Sequence, residues 1–271
     1  MATLYLVATP IGNLEDITFR ALRILREAPL IAAEDTRMAR RLLEHFEIRR
    51  GGITSYNEHN SRAKLPSLLL ALGEGDVALV SDAGMPGISD PGHDLVLAAI
   101  AAGHEVVPVP GASAVLAAVA ASGLPSRRFH YLGFLPRQRG PRRAALAEAA
   151  KSGDTLVVFE SPHRVRATLE DVREALGERQ VAVARELTKL HEEIWRGTVS
   201  DALAHFEEPR GEFTLVIEGG APPEATDAAS LEAAMGELRA SGARAKDAIA
   251  SLAERFALSR REAYRLWHAH A

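Results

Sequence analysis

The feature that most constrains the fold of this chain is a regular alternation across its first 122 residues, in which short apolar runs are each followed by a stretch of helical periodicity. Leu4–Ala8, Leu30–Ala33, Ile53–Tyr56, Val77–Ser81 and Glu105–Val109 read as strands. Ile17–Glu27, Thr36–Phe46, Arg62–Leu72, Asp94–Ala102 and Ser113–Ala121 read as the intervening helices, with Asp35 or Thr36 as N-cap of the second. Strands separated by helical crossovers run parallel, and parallel sheets are covered by helices on both faces. The expectation is an α/β unit whose ligand lies at the carboxyl ends of its strands.

Gly123-Leu124-Pro125 interrupts this pattern and a second unit begins. Strands are expected at Phe129–Leu132, Thr155–Glu160, Val181–Ala184, Glu193–Gly197 and Phe213–Glu218, with helices at Pro141–Lys151, Val165–Leu176 and Ser200–Phe206. Gly219-Gly220-Ala221-Pro222-Pro223 has the composition of a linker. Beyond it, Leu231–Ser241, Ala245–Phe256 and Ser259–His268 read as three short helices, with Ser259 capping the last. The 271 residues therefore divide into an α/β domain at 1–122, a second α/β domain at 123–220, and a linker with a small helical region at 221–271.

Composition closes off several function classes. The absence of cysteine excludes disulfide frameworks, thiolate metal sites, iron–sulfur clusters and a cysteine nucleophile, and suits a reducing, cytoplasmic setting. No apolar run approaches the roughly 18 residues of a membrane span, and the first apolar run meets Pro10 and Gly12 at once, so neither a signal peptide nor an anchor is expected. The histidines are scattered without metal-ligand spacing, no metal is expected, and no G-x-S-x-G elbow is present. The net charge is -4, yet 28 of the 32 basic residues are arginine. Six of these lie between Arg127 and Arg143 with no acid among them, interleaved with Phe129, Tyr131 and Phe134. Guanidinium forks suit phosphate, and an acidic protein binds RNA when its cations converge on one face.

Three strand ends combine glycine, proline and small polar residues: Thr9-Pro10-Ile11-Gly12-Asn13, Ser81-Asp82-Ala83-Gly84-Met85-Pro86-Gly87 and Pro110-Gly111-Ala112-Ser113. Together they imply backbone approaching one ligand in one crevice. None matches the dinucleotide fingerprint or the Walker phosphate loop.

The longer strings around these turns, Leu4 to Thr18, Ala33-Glu34-Asp35-Thr36-Arg37 and Ser81 to Gly92, closely resemble the tetrapyrrole methylase superfamily. Phe159-Glu160-Ser161-Pro162-His163-Arg164, Ala184 to Lys189 and Gly211 to Val216 extend the resemblance through the second unit, and within the superfamily it points to the branch acting on ribosomal RNA. The resemblance implies two α/β domains with S-adenosyl-L-methionine in the cleft between them, commonly in a homodimer. It implies 2'-O-methylation of a cytidine ribose in the decoding centre of 16S rRNA of the small ribosomal subunit. Matched position by position, it sets the cofactor against Pro10, Ile11, Asp82, Met85, Ser113 and Ala114, and against Phe159, Ala184, Leu187, Phe213 and Thr214.

A ribose hydroxyl is a poor nucleophile at neutral pH, so a base or a cation beside the forming alkoxide is expected. Lys189 and Glu160 are the leading catalytic candidates, and Glu186, Asp35 and Glu58 are further carboxylates within the matching region. Arg37, Arg41, Arg62, Arg137, Arg139 and Arg164, with neighbouring Arg40, Arg142 and Arg143, are the expected RNA-binding rim. Two alternatives stand beside this: a superfamily methyltransferase with a tetrapyrrole or protein acceptor, and a non-catalytic RNA-binding assembly factor.

Overall fold

The structure, a computed structural model, describes residues 2–49, 51–220, 228–256 and 260–269. The chain forms two compact units, Met1–Ala121 with Ala184–Ile194, and Ser122–Val183 with Trp195–Ala271.

The first unit is built on strands β1 (Thr3–Val7), β2 (Leu30–Ala33), β3 (Gly52–Ser55), β4 (Val77–Val80) and β5 (Glu105–Val109), in the order β3-β2-β4-β1-β5. All the pairings are parallel. Helices α1 (Phe19–Glu27), α2 (Thr36–His45), α3 (Ser61–Glu74), α4 (His93–Ala101) and α5 (Ala114–Ser122) supply the connections. The period of two along each strand sends alternate residues to opposite faces. Ile31, Ala33, Ala78 and Val80 pack with Leu25 of α1 and Leu43 of α2, while Ala32, Val77 and Leu79 pack with Leu68 and Leu72 of α3 and Leu95 of α4. Both faces are therefore apolar, and every residue of β4 is buried.

Local chemistry sets the helix starts. The Thr18 side chain accepts a hydrogen bond from the Ala21 amide, so α1 begins at Phe19, two residues later than the hydrophobic pattern suggests. Asp35 caps α2 by accepting from the Arg37 amide. Ser113 accepts from the Leu116 amide at 3.4 Å and stands just before α5.

The second unit has a mixed sheet of β6 (Phe129–Phe134), β7 (Thr155–Glu160), β8 (Gln180–Arg185), β9 (Glu193–Thr198) and β10 (Phe213–Ile217), ordered β6-β7-β10-β8-β9. Strands β6 and β7 are parallel, and β10 is antiparallel to β7. Helices α6 (Arg139–Ala150), α7 (Val165–Leu176) and α8 (Val199–His205) enclose an apolar cluster that includes Leu146, Leu156, Leu169, Val183, Leu203 and Leu215. Three further helices, α9 (Ala228–Ala240), α10 (Ala245–Arg255) and α11 (Arg260–Ala269), share an apolar cluster of their own, with Leu231, Met235, Leu252, Phe256 and Trp267. The expected cap Ser259 and the linker residues from Ala221 to Pro223 lie outside the described residues.

Chain order places 184–194 inside a second domain at 123–220, whereas its packing joins it to the first unit. The reason is local: the turn after β8 lies directly on the turn after β1, where the Asn13 amide donates to Thr188 Oγ1 at 3.0 Å.

Candidate functional site

The carboxyl edge of the first sheet is held together by its own loops. The Thr9 amide donates to the Gly84 carbonyl at 2.9 Å and the Gly84 amide returns a bond to Thr9 at 3.0 Å, tying the β1 turn to the β4 turn. The Asp35 amide donates to Asp82 Oδ1 at 3.0 Å, and the Asp82 amide donates to Glu34 Oε2 at 3.2 Å, so the β2 loop is tied in as well. Gly84 has φ +75°, a conformation that favours glycine. A Cβ there would sit 3.6 Å from Ile11 Cγ2 and 3.9 Å from the Ala112 carbonyl, so Gly84 lies where the β1, β4 and β5 turns converge.

The expected cofactor residues of this unit meet at that point. Pro10 is buried, Ile11, Met85, Ser113 and Ala114 are half-buried, and Asp82 is exposed. Backbone amides and carbonyls, apolar walls, the Asp82 carboxylate and the N-terminus of α5 border this convergence. A Cβ at Gly111 would come 2.8 Å from Ala8 Cβ, so the β5 turn runs against β1 with no room for a side chain.

The turn after β8 completes this region. A Cβ on Gly12 would lie 2.5 Å from Lys189 Cγ, 2.8 Å from Thr188 Oγ1 and 3.0 Å from the Leu187 carbonyl, so only glycine lets the two turns touch. Glu186 and Thr188 both have positive φ, at 50° and 66°. For β-branched Thr188 this is a strained conformation, and such strain concentrates at functional turns. Lys189 Nζ lies 3.0 Å from Glu186 Oε1. Ala184 and Leu187 are buried beside them. The structure thus brings Pro10, Ile11, Leu187 and Lys189 into one neighbourhood.

The candidates of the second unit divide differently. Glu160 is 2% exposed. It accepts from Thr168 Oγ1 at 2.7 Å and from the Ser161 amide at 2.9 Å, and pairs with Arg164 at 3.3 Å. Its oxygens are occupied within the fold, and the carboxylate is a structural anchor of the β7–α7 turn. Phe213 pairs with Glu160 in register, shares its face, and packs edge-on against Phe206 in the core. Thr214 and Phe159 are likewise in register and share the other face, where Phe159 meets Tyr131 and Phe134.

The arginines between 137 and 164 are mostly engaged. Arg142 is buried and pairs with buried Asp171 at 2.6 Å. Arg139 bonds Asp171 at 3.1 Å and also Glu174, and Arg143 pairs with Glu174 at 2.8 Å. Arg164 donates to the Leu135 carbonyl at 2.7 Å. These side chains clamp α6 to α7 and close the β6–α6 loop; of the expected RNA-binding set in this unit, Arg137 is exposed and without an ion pair among the described residues. In the first unit Arg37 pairs with Asp35 at 2.6 Å, and this partner holds the Asp35 carboxyl down at about 2. Arg40, Arg41 and Arg62 are exposed and have no ion pair among the described residues.

Three side chains escaped the sequence reading as functional. Glu34, Tyr56 and Asp90, together with the candidate carboxylate Glu58, line a cavity of about 420 Å³ at the carboxyl edge. Burial, followed by the charges of Asp82 and Asp35, raises the Glu34 carboxyl, although the Asp82 amide opposes the shift. Burial and the Glu34 charge push Asp90 up to about 6. Both residues stand in strings that the resemblance already covers, but only the fold places them on one cavity. No group of three or more metal-ligating side chains occurs among the described residues.

A parallel α/β unit with glycine turns converging at its carboxyl edge, followed by a mixed-sheet unit, defines a class: residues 3–203 match the family described as Tetrapyrrole (Corrin/Porphyrin) Methylases. Among solved structures, uroporphyrin III C-methyl transferase from Thermus thermophilus aligns with TM-score 0.59 at 19% identity, over 80% of this chain and 97% of that one. Cobalt precorrin-4 methyltransferase aligns with TM-score 0.57 at 20% identity, over 79% and 94%. Those likenesses establish the fold alone. In sequence, the chain is 48% identical to ribosomal RNA small subunit methyltransferase I of Halalkalibacterium halodurans, over 98% of this chain and 94% of the relative. It is 50% identical to the protein of that name in Synechocystis, over 98% and 97%, and 51% identical to the one in Thermotoga maritima, over 81% and 99%. The chain belongs to the tetrapyrrole methylases and, within them, to the family of ribosomal RNA small subunit methyltransferase I, and it is a methyltransferase enzyme.

Proposed function

We propose that this enzyme transfers a methyl group from S-adenosyl-L-methionine to the 2'-hydroxyl of a cytidine ribose in the decoding centre of 16S rRNA, acting on the small ribosomal subunit in the cytoplasm. The observation that carries the assignment is 48–50% identity to rRNA small subunit methyltransferases along 98% of the chain. The tetrapyrrole alternative rests on structural likeness at 19–20% identity and is much the weaker.

S-adenosyl-L-methionine supplies a methyl already activated by its sulfonium. The residues of the chain then have three tasks. Pro10, Ile11, Met85, Ser113 and Ala114, with Asp82, bind and orient the cofactor, and Ala184 and Leu187 close the same neighbourhood. Within the second unit, Phe159 and Thr214 share one face of the sheet and Phe213 packs into the core behind it. Lys189, held by Glu186 beside the Gly12 turn, would stabilise the negative charge growing on the acceptor oxygen as its proton passes to water, and the bound cofactor would supply the methyl group. Glu160 positions the β7–α7 turn and does not touch the acceptor.

The homodimer implied by the family has an available surface in the first unit, where Leu97 and Ile100 of α4 are 53% and 58% exposed. No described helix is long and apolar enough to cross a membrane.

The test is methyl transfer from labelled cofactor to small subunits lacking their decoding-centre methylations, with mass spectrometry of nuclease fragments. The expected product is a ribose-methylated cytidine. Label on a base or on ribosomal protein would reject the proposed acceptor.

A further inference from the structure

The cavity at the carboxyl edge of the first sheet calls for an occupant that the cofactor residues do not provide. Its walls come from three loops: Glu34 after β2, Tyr56 and Glu58 after β3, and Ser89 and Asp90 after β4. It adjoins the cofactor region, because Glu34 accepts from the amide of Asp82. Its volume of about 420 Å³ lies within the range of small-molecule sites.

Two independent features indicate what kind of group enters. Asp90 is close enough to feel the charge of Glu34, and burial favours the neutral form of both. Tyr56 is 1% exposed and lines the same cavity; its hydroxyl oxygen faces the Leu95 amide near the start of α4, while its proton has no acceptor among the described residues. A buried hydroxyl whose proton has no acceptor is an uncommon feature, one that a bound acceptor atom would resolve. The walls therefore ask for a ligand edge that gives hydrogen bonds to carboxylates and takes one from a phenol.

Phosphate is the wrong sign for these walls. The cations lie outside them: Arg40 and Arg41 on α2 and Arg62 on α3 are exposed, and Arg62 follows Ser61, which lines the cavity. A nucleotide satisfies both zones at once, with its phosphates on the arginines and its base edge inward.

We propose that this cavity receives the base of the acceptor nucleotide, with Glu34 and Asp90 reading the amino-bearing edge of a pyrimidine and Tyr56 donating to one of its acceptor atoms. The inference rests on the proposed methylation of a cytidine ribose and names how that cytidine is chosen. Cytosine presents an amino donor at C4 and acceptors at N3 and O2, whereas uracil presents a carbonyl at C4 and a donor at N3. A carboxylate accepts from the amino group and repels the carbonyl. Sites built to hydrogen-bond a substituent reject analogues that lack it far more strongly than apolar pockets do.

The experiment is single-turnover methyl transfer by the full chain on small subunits lacking decoding-centre methylations, with cytidine or uridine at the acceptor position. The wild type is expected to prefer cytidine by about a hundredfold or more. Glu34→Gln and Asp90→Asn, whose amides both give and accept, are expected to slow the cytidine reaction about tenfold and to narrow the preference, with cofactor affinity measured by calorimetry unchanged. Tyr56→Phe, a nearly isosteric change, is expected to slow the cytidine reaction several-fold at unchanged melting temperature. A wild-type preference retained in all three variants, or equal slowing on cytidine and uridine, overturns the inference and leaves the methyltransferase assignment standing. Absence of transfer by the wild type to either subunit would overturn both.

Discussion

Asp90 shows how one carboxyl links the fold to its site. Its folded pKa of about 6 lies above the ordinary aspartate value of 3.8, chiefly because burial disfavours the charge, with Glu34 and Asp82 adding repulsion and the Ser81 hydroxyl opposing it. Between those two values the folded state holds more of this proton than the unfolded chain, so the stability contributed by Asp90 falls as pH rises from about 4 to about 6. Above that window its full cost stands. Asp90→Asn is therefore expected to be more stable than the wild type at pH 7.5 by roughly 1–3 kcal/mol, with the difference shrinking toward pH 4. Calorimetric melting across that range checks it, and a difference independent of pH would show that Asp90 is not strained by its charge. A residue that costs stability at neutral pH is what a binding site retains for its chemistry.

At the scale of elements, the α6–α7 pair turns on Asp171, which is 1% exposed and takes bonds from both Arg139 and Arg142. Removing its charge leaves buried Arg142 without its ion partner, and such losses cost about 3–5 kcal/mol. Asp171→Ala should accordingly lower the melting temperature of the protein by many degrees, whereas Arg143→Ala, on the more exposed pair with Glu174, should have little effect. Equal melting temperatures for the two variants would remove the clamp. This pair also shows what was legible beforehand. The strand β7 at Thr155–Glu160 and the helix α7 at Val165–Leu176 match the expected ranges, because apolar periodicity is a local signal. That Arg139, Arg142 and Arg143, in a stretch free of acids, would find Asp171 and Glu174 about thirty residues away was not legible, since the pairing exists only once α6 and α7 pack. The same applies to Glu160, whose partner Thr168 stands one helical turn and a loop further on. In the first unit the turns were legible as a set because each carries its own glycine or proline. The approach of Lys189 to Gly12 crosses 177 positions and was visible only through family resemblance.

For the whole molecule, the difficulty is that a chain of net charge -4 must hold a polyanion. Uniform attraction is unavailable, so binding depends on local cations that are free to reach phosphate, and each such contact releases counterions from the RNA. Arg139, Arg142 and Arg164 are committed to partners within the second unit, while in the first Arg40 and Arg41 stand exposed on α2 and Arg62 stands exposed next to cavity-lining Ser61. The logarithm of affinity for the small subunit should fall linearly with the logarithm of salt concentration, and replacing Arg41 and Arg62 together by alanine should make that slope shallower by roughly one to two. Arg139→Ala should leave the slope where it was, because its guanidinium already has two carboxylate neighbours. Filter binding across a salt series separates the cases. A shallower slope for Arg139→Ala, with none for the α2–α3 pair, would move the phosphate track to the second unit and away from the cavity. The expected result would instead set the phosphate track on α2 and α3 of the first unit, the helices that carry these exposed cations.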